Sequence, residues 1–269
     1  MMGQQKESNV IKILVLVTYL AMVAVNALAN ILPINGVNTG QVSASYPNLF
    51  APAAVTFVIW GVIYVLLAGY TLYHAGLFRA WQDADKGELL NKIGLLFAVS
   101  SLANIAWIFS WHYFKISLSM LWMIVILLCL IAIVRNISKT RLSRREKIFI
   151  KLPFSIYFGW ITVATIANAA TLLVSWNWNG FGIAEPIWTV IILLVGVLIG
   201  AATTITNRDI AYGLVIVWAY AGIYSKHISA AGFAGQYPIV INTVIVCIVL
   251  MLATIIYVFS KRKRERYSF

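Results

Sequence analysis

Long runs of apolar residues, separated by short polar segments, make up most of the chain. A helix needs about twenty predominantly apolar residues to cross a bilayer. Because every backbone polar group in lipid must be paired, runs of this length indicate helices rather than the shorter alternating strands of a barrel. The pattern predicts eight spans, at roughly residues 10–33, 52–77, 89–112, 115–134, 148–174, 186–205, 209–225 and 237–260.

The predicted fold is that of an all-α polytopic membrane protein, with its helices in one bundle. Hydrophobic residues make up 62% of the chain and charged residues only 10%, whereas about a quarter of the residues of a soluble domain are charged. The segments between the apolar runs are too short to fold as soluble domains. We therefore expect one integrated membrane domain.

The basic residues predict the orientation of the helices. With eight spans, all but Lys115 and Lys226 of the 20 Lys and Arg residues fall on one side of the membrane. By the positive-inside rule, both termini are expected on the inner side of the cytoplasmic membrane, and the uncharged 34–51 loop on its outer side. The net charge of +12 is then a topology signal and does not indicate a nucleic-acid partner. The basic segments at 135–151 and 261–266 are expected to attract anionic lipid.

Aromatic and amide side chains recur at helical spacing on four of the first five predicted spans, including Asn26 and Asn30 on the first. Residues three or four positions apart share one face of a helix. One explanation is structural, since such residues form interhelical hydrogen bonds and interfacial aromatic belts. Taken together they favour a ligand pocket under the 34–51 loop, suited to a flat apolar molecule with a few polar atoms. The candidate ligand-binding residues are Trp60 and Tyr64 on the second span, Asn104, Trp107 and Trp111 on the third, and Trp160, Ala164 and Asn168 on the fifth.

In three places these residues resemble the TspO/MBR family, the translocator proteins also called tryptophan-rich sensory proteins. Each place matches one helix pattern of the family, and the three occur in the family's order between roughly residues 15 and 172. The matching residues are Phe50, Pro52, Phe57, Trp60 and Tyr64 on the second helix, Asn104 and Trp107 on the third, and Pro153, Trp160, Ala164 and Asn168 on the fifth.

The resemblance implies a five-helix core at 1–175 that binds porphyrins, or in some members sterols, beneath the loop between helices 1 and 2. Carried over residue by residue, the family's pocket residues fall on Trp60, Asn104, Trp160 and Ala164. A porphyrin or heme is then a possible ligand, and no cofactor is required. Tryptophan-dependent breakdown of bound tetrapyrrole is attributed to some members. Residues 176–269 would add three transmembrane helices and a basic tail.

The second helix departs from the family pattern. The spacing from Phe57 to Trp60 is one residue shorter than usual, and Ala53 stands in place of a second proline. A shift of one residue turns a helix by about 100°. The shorter spacing would therefore turn the Trp60 side chain away from the direction of the family's tryptophan.

Charged and metal-binding residues are scarce in the predicted spans. His74, His112 and His227 fall near span ends, where we interpret them as interfacial polar residues, and no metal site is predicted. Glu185 and Asp209 also lie at span ends, so charge-coupled transport is not indicated. Hydrolysis would need a nucleophile and a base at membrane depth, and the spans lack them.

The pattern favours a membrane-embedded sensor, carrier or scavenger for a hydrophobic ligand, and the resemblance implies that this ligand is tetrapyrrole-like. Enzyme activity is not indicated, but the sequence leaves turnover open. A permease for a neutral or amphipathic solute is the alternative. A third possibility is an interaction protein whose polar stripes only pack helices. The sequence leaves the ligand and the oligomeric state open.

Overall fold

A computed structural model of the chain describes residues 8–78 and 86–267, with side chains up to Lys261. The described segments are helical and are joined by short turns. The α-helices are α1 (Asn9–Ile31), α2 (Thr39–Ala44), α3 (Ile59–Ala75), α4 (Gly87–His112), α5 (Ile116–Ser138), α6 (Arg144–Glu146), α7 (Leu152–Ser175), α8 (Glu185–Thr206), α9 (Ile210–Ile228) and α10 (Pro238–Tyr267).

The all-α membrane fold is confirmed. Seven of the described helices are long and apolar enough to cross a membrane. The seventh predicted span, 209–225, occurs as the 19-residue helix α9 but is not among those seven. Its tyrosines and its basic C-terminal end, Lys226 and His227, lower the mean hydropathy of α9. Helix α10 continues past the predicted end at 260 into the basic tail.

Local sequence explains several helix ends. The side chain of Asp209 caps α9 by accepting a hydrogen bond from the Tyr212 amide at 3.3 Å. Pro186 lies in the first turn of α8, where its missing N–H costs nothing. Helix α7 ends before Asn177, whose left-handed backbone (φ 51°) cannot continue the helix. Gly180 (φ +64°) supplies a second left-handed position in the turn before α8.

The chain divides into two compact units, which we call unit 1 and unit 2. Unit 1 comprises Met1–Val42 and Trp60–Phe158, and unit 2 comprises Ser43–Ile59 and Gly159–Phe269. The division into a core at 1–175 and an added segment at 176–269 stays a prediction.

Unit 1 has an aromatic core and a buried amide pair. Tyr70, Phe97 and Phe154 are fully buried, and the Tyr70 ring meets the other two nearly edge-on at centroid distances of 5.3 and 4.7 Å. Asn26 of α1 donates a hydrogen bond from Nδ2 to Oδ1 of Asn104 on α4 at 2.7 Å. This pair joins two helices by an interhelical hydrogen bond between amide side chains, a contact that is typical of helix packing in membranes.

Unit 2 is built on close helix approach. A Cβ atom on Gly159 of α7 would lie 2.9 Å from Val215 Cβ and 3.0 Å from the Tyr212 carbonyl oxygen of α9, so a larger residue would push the helices apart. The Tyr220 hydroxyl of α9 donates to the Leu193 carbonyl of α8 at 2.7 Å. Small residues and interhelical hydrogen bonds therefore hold these helices together.

The segment at 43–59 is attached to α9 within unit 2. The Ala53 amide donates to the Gly222 carbonyl at 3.0 Å, and the indole of Trp218 donates to the Thr56 carbonyl at 3.0 Å. Residues Ala54–Val58 form a 3₁₀ turn directly before α3. The loop after α1 is thus fastened at defined points in the part of the chain that is described.

Replacing Glu146 with alanine is expected to lower the free energy of unfolding by about 1–2 kcal/mol. Its carboxylate is almost fully buried and accepts hydrogen bonds from Lys86 Nζ at 2.5 Å and from the Ser143 amide at 2.7 Å. The cost stays moderate because Lys86, which is 23% exposed, can regain water. Equilibrium unfolding in mixed detergent micelles measures the change.

Glu88→Ala is the matched control, because Glu88 pairs with Lys92 at 2.6 Å with both side chains more than half exposed. Such a pair contributes little, so the control should differ from the wild type by less than about 0.5 kcal/mol. Equal losses in the two variants would contradict a special role for Glu146.

Candidate functional site

Unit 1 contains a continuous group of aromatic rings, which we call the aromatic array. Trp60 of α3 stacks on Tyr64 at a centroid distance of 5.6 Å and an interplanar angle of 18°. Trp60 also contacts Trp107 of α4 at 6.3 Å and Tyr157 of α7 at 6.1 Å. Trp107 in turn stacks on Trp111 at 5.7 Å. The predicted faces of the second and third spans therefore meet.

The spacing of the sequence explains this array. Trp60 and Tyr64 are four residues apart on α3, and Trp107 and Trp111 are four residues apart on α4, so each pair lines one side of its helix. Trp107 and Trp111 are buried, whereas Trp60 and Tyr64 are only partly buried. Trp60 and Tyr64 are therefore less enclosed than the two indoles of α4.

Three buried polar atoms lie beside the array without a hydrogen-bond partner among the described residues. They are the hydroxyl groups of Tyr64 and Tyr157 and the Nδ2 atom of Asn104. The Tyr157 hydroxyl lies beside the Asn104 side chain, so these two groups are within reach of each other. A buried polar group gains free energy from a hydrogen-bond partner, so atoms of this kind are candidates to bind polar atoms of a ligand.

The end of the array is attached to the loop after α1. The Trp111 indole donates to the Thr39 carbonyl at 3.1 Å, and the Asn35 side chain donates to the His112 carbonyl at 3.0 Å. A ring nitrogen of His112 lies 3.1 Å from the Thr39 hydroxyl. Within unit 1 the aromatic array therefore lies next to the loop under which the sequence predicts a pocket.

The three predicted site residues of the fifth span lie in unit 2. Trp160, Ala164 and Asn168 follow one another at four-residue steps on α7, as predicted. Trp160 is buried and packs edge-on against Phe57 at 5.8 Å. Asn168 is also buried, and Ala164 is partly buried. Their role in ligand binding stays a prediction.

Two features differ from the interpretation of the sequence. The residues just before α3 form a 3₁₀ turn, so Phe57 is not on the same α-helix as Trp60. The histidines, interpreted as interfacial, are fully buried. Ring nitrogens of His74, His112 and His227 lie within hydrogen-bond distance of the carbonyls of Leu90, Ile34 and Leu49, respectively. These side chains fasten loops and helix ends instead of facing the interface.

Unit 2 holds a cavity of about 480 Å³ that the sequence did not predict. Its walls come from the 47–50 segment, the end of α7, the turn before α8 and the first turns of α8. Trp178, Glu185 and Trp188 line it, but none of the predicted site residues does. The signal available in the sequence was two tryptophans and one carboxylate clustered around a turn.

Comparison with known families extends the motif resemblance. A family model described as "TSPO-like protein" matches residues 12–257. The match continues beyond 172, where the three motifs end, and includes α8, α9 and most of α10. Neither a curated protein nor a solved structure matches the chain.

Proposed function

The chain belongs to the TSPO-like protein family, and on that premise we propose that it binds a flat, hydrophobic, tetrapyrrole-like ligand within the membrane. In this proposal the protein acts as a sensor, carrier or scavenger, and a porphyrin or heme is the ligand. The ligand lies against the aromatic array of unit 1, beside the loop after α1.

The observation that carries the proposal is the combination of stacked indoles with three unpartnered polar atoms. Indole and phenol rings offer flat apolar surface, to which a planar macrocycle can stack. The Tyr64 and Tyr157 hydroxyls and Asn104 Nδ2 can each donate a hydrogen bond to polar atoms of the ligand. Apolar walls with a few placed donors are the usual composition of a small-molecule site.

The proposed placement follows the charge pattern. We place the protein in the cytoplasmic membrane with both termini inside and with the basic inner segments near anionic lipid. Both termini lie on the same side only if the chain crosses the membrane an even number of times. We therefore propose that α9 is the eighth span, in addition to the seven long apolar helices. Trp160, Ala164 and Asn168 are proposed as further ligand contacts on the family resemblance.

Protoporphyrin IX titration into the detergent-solubilised protein tests the proposal, with quenching of tryptophan fluorescence as the signal. The wild type should show saturable quenching. In Tyr64→Phe the affinity should fall about fivefold, because one hydrogen bond of about 1 kcal/mol to the ligand is lost. Its melting temperature should be unchanged, because the Tyr64 hydroxyl has no hydrogen-bond partner among the described residues.

Tyr113→Phe is the matched control, since Tyr113 belongs to the same unit but is 55% exposed at the end of α4. It should bind protoporphyrin as the wild type does. Absence of saturable quenching in the wild type would reject the proposal. Solute flux into proteoliposomes would then support the permease alternative.

Ala164→Leu tests the contacts proposed on α7. Added volume at a small residue should block the ligand and lower its affinity at least tenfold, at a cost in stability of about 1–3 kcal/mol if the neighbours cannot move. The same titration measures the affinity. An unchanged affinity would remove Ala164 from the site without affecting the argument from the aromatic array.

A further inference from the structure

The cavity of unit 2 has a charge pattern unlike that of the aromatic array. Glu185 is the one charged residue in its lining, and no lysine, arginine or histidine lines it. In the part of the chain that is described, Glu185 forms no ion pair. The cavity therefore carries an uncompensated negative charge.

The carboxylate of Glu185 is held in place. Its Oε1 atom accepts the Leu49 amide hydrogen at 3.0 Å, and the Leu49 carbonyl lies 2.9 Å from Nε2 of His227. These two contacts fasten the 47–50 segment to the start of α8 and the end of α9 within unit 2. One carboxylate oxygen thus has a structural partner, and the other accepts no hydrogen bond from the described residues.

Two tryptophans supply aromatic walls next to this charge. The rings of Trp178 and Trp188 lie 5.1 Å apart at an angle of 57°, so they form a corner rather than a stack. The Trp188 indole donates to the Gly180 carbonyl at 2.8 Å, which fixes its orientation. Both side chains are only partly buried. Their ring faces can attract a cation by their quadrupoles.

We propose that this cavity binds an organic monocation with an apolar body, such as an alkylammonium or quaternary ammonium compound. The carboxylate balances one positive charge, and the indole faces add cation–π attraction. Leu173, Val174 and Ile192 supply apolar surface for the rest of the molecule. The volume of about 480 Å³ lies in the range of sites for small organic ligands. The described residues contain no cluster suited to a metal ion.

Isothermal titration calorimetry with 4-phenylbutyl-trimethylammonium tests this site. The full-length protein is kept in a non-ionic maltoside detergent, because choline headgroups would compete. The comparison ligand replaces the trimethylammonium group with tert-butyl and thus has the same shape without the charge. We expect the cation to bind one to one and at least tenfold more tightly than the neutral compound. Equal affinities would overturn the proposal.

Glu185→Gln separates charge from structure, because its amide oxygen can still accept the Leu49 hydrogen bond. It should weaken cation binding about fivefold and leave the melting temperature unchanged. Glu185 is exposed, so salt should weaken cation binding to the wild type, and this dependence should vanish in the variant. Unchanged affinity and salt dependence in Glu185→Gln would overturn the proposal.

Trp178→Leu should weaken cation binding about threefold by removing one aromatic wall. Trp176→Leu is its control, because Trp176 is 62% exposed and does not line the cavity. The control should bind the cation normally, and equal losses in the two variants would contradict the assignment. Protoporphyrin binding should be unaffected by Glu185→Gln, so either proposal can fail without the other.

Discussion

Replacing Gly222 with alanine is expected to lower the free energy of unfolding by about 3 kcal/mol, because unit 2 has no room for a methyl group there. A Cβ atom on Gly222 would overlap Oγ1 of Thr56 and lie 2.7 Å from its Cγ2. The backbone cannot withdraw cheaply, since the Gly222 carbonyl accepts the Ala53 amide and the Trp218 indole holds the Thr56 carbonyl.

Thermal and denaturant unfolding, followed by tryptophan fluorescence, measure this loss. Gly61→Ala is the matched control, because a Cβ on Gly61 of α3 meets nothing within 4 Å. Alanine is the better helix former, so the control should be neutral or more stable by about 0.5–1 kcal/mol. Similar losses at the two glycines would show that helix propensity, and not the Thr56 contact, explains the effect.

A second substitution identifies the residue responsible for the strain. Thr56→Gly removes the side chain that the added methyl group would strike, so the double variant should recover at least half of the stability lost in Gly222→Ala. Residues in direct contact show such coupling, whereas independent sites add. If the stability loss of the double variant equals the sum of the losses in Gly222→Ala and Thr56→Gly, contact with the Thr56 side chain is not the cause of the Gly222→Ala effect.

The helices of this protein are predictable from sequence because every backbone N–H and C=O group in lipid must be paired, and a long apolar run achieves this as a helix. The predicted spans at 89–112 and 186–205 differ from α4 and α8 by no more than two residues at either end. Periodicity also predicts the Trp60–Tyr64 stack, since both rings belong to one helix face. These features depend on local sequence alone.

Contacts between distant segments are not predictable in the same way. Nothing near Gly222 or Thr56 in the sequence indicates that they touch, because they lie far apart in the chain. The sequence predicts His227 as an interfacial residue at a helix end, and only the structure shows the contact of its ring nitrogen with the Leu49 carbonyl. Glu185 is a similar case. In the sequence it is a charged residue at a span end and suggests no function, and its proposed role in cation binding rests on its place in the cavity lining.

Asn26 and Asn104 stand between these two cases. Each is recognisable as a polar residue in an apolar span, where it marks a helix face that meets a neighbour. Their pairing at 2.7 Å is a property of the packed helices α1 and α4. Sequence therefore predicts that each amide has a partner, and the structure identifies the partner.

Asn26→Leu is expected to lower the free energy of unfolding by about 2 kcal/mol. The substitution leaves Oδ1 of Asn104 without its donor, and the Asn104 side chain is fully buried. No water is at hand within the membrane to replace the lost bond, so the desolvation cost of the amide remains. Equilibrium unfolding in mixed micelles gives the magnitude.

Asn30→Leu is the matched control on the same helix, one turn further on. The Asn30 side chain is exposed, and among the described residues it donates only to the carbonyl of Asn26 in its own helix, at 2.9 Å. Its replacement should change the stability by less than about 0.5 kcal/mol. A loss equal to that in Asn26→Leu would show that any amide on α1 matters, and not this pair.

The double variant Asn26→Leu, Asn104→Leu separates the structural role of the pair from its proposed role in binding. Removing both amides leaves neither member of the pair buried without its partner, so the double variant should be less destabilised than the sum of the single variants. Asn104→Leu should also weaken protoporphyrin binding about fivefold, because Nδ2 is the atom proposed to face the ligand. If Asn26→Leu weakens binding equally at a temperature where both variants are folded, Asn104 acts through the helix pair and not through the ligand.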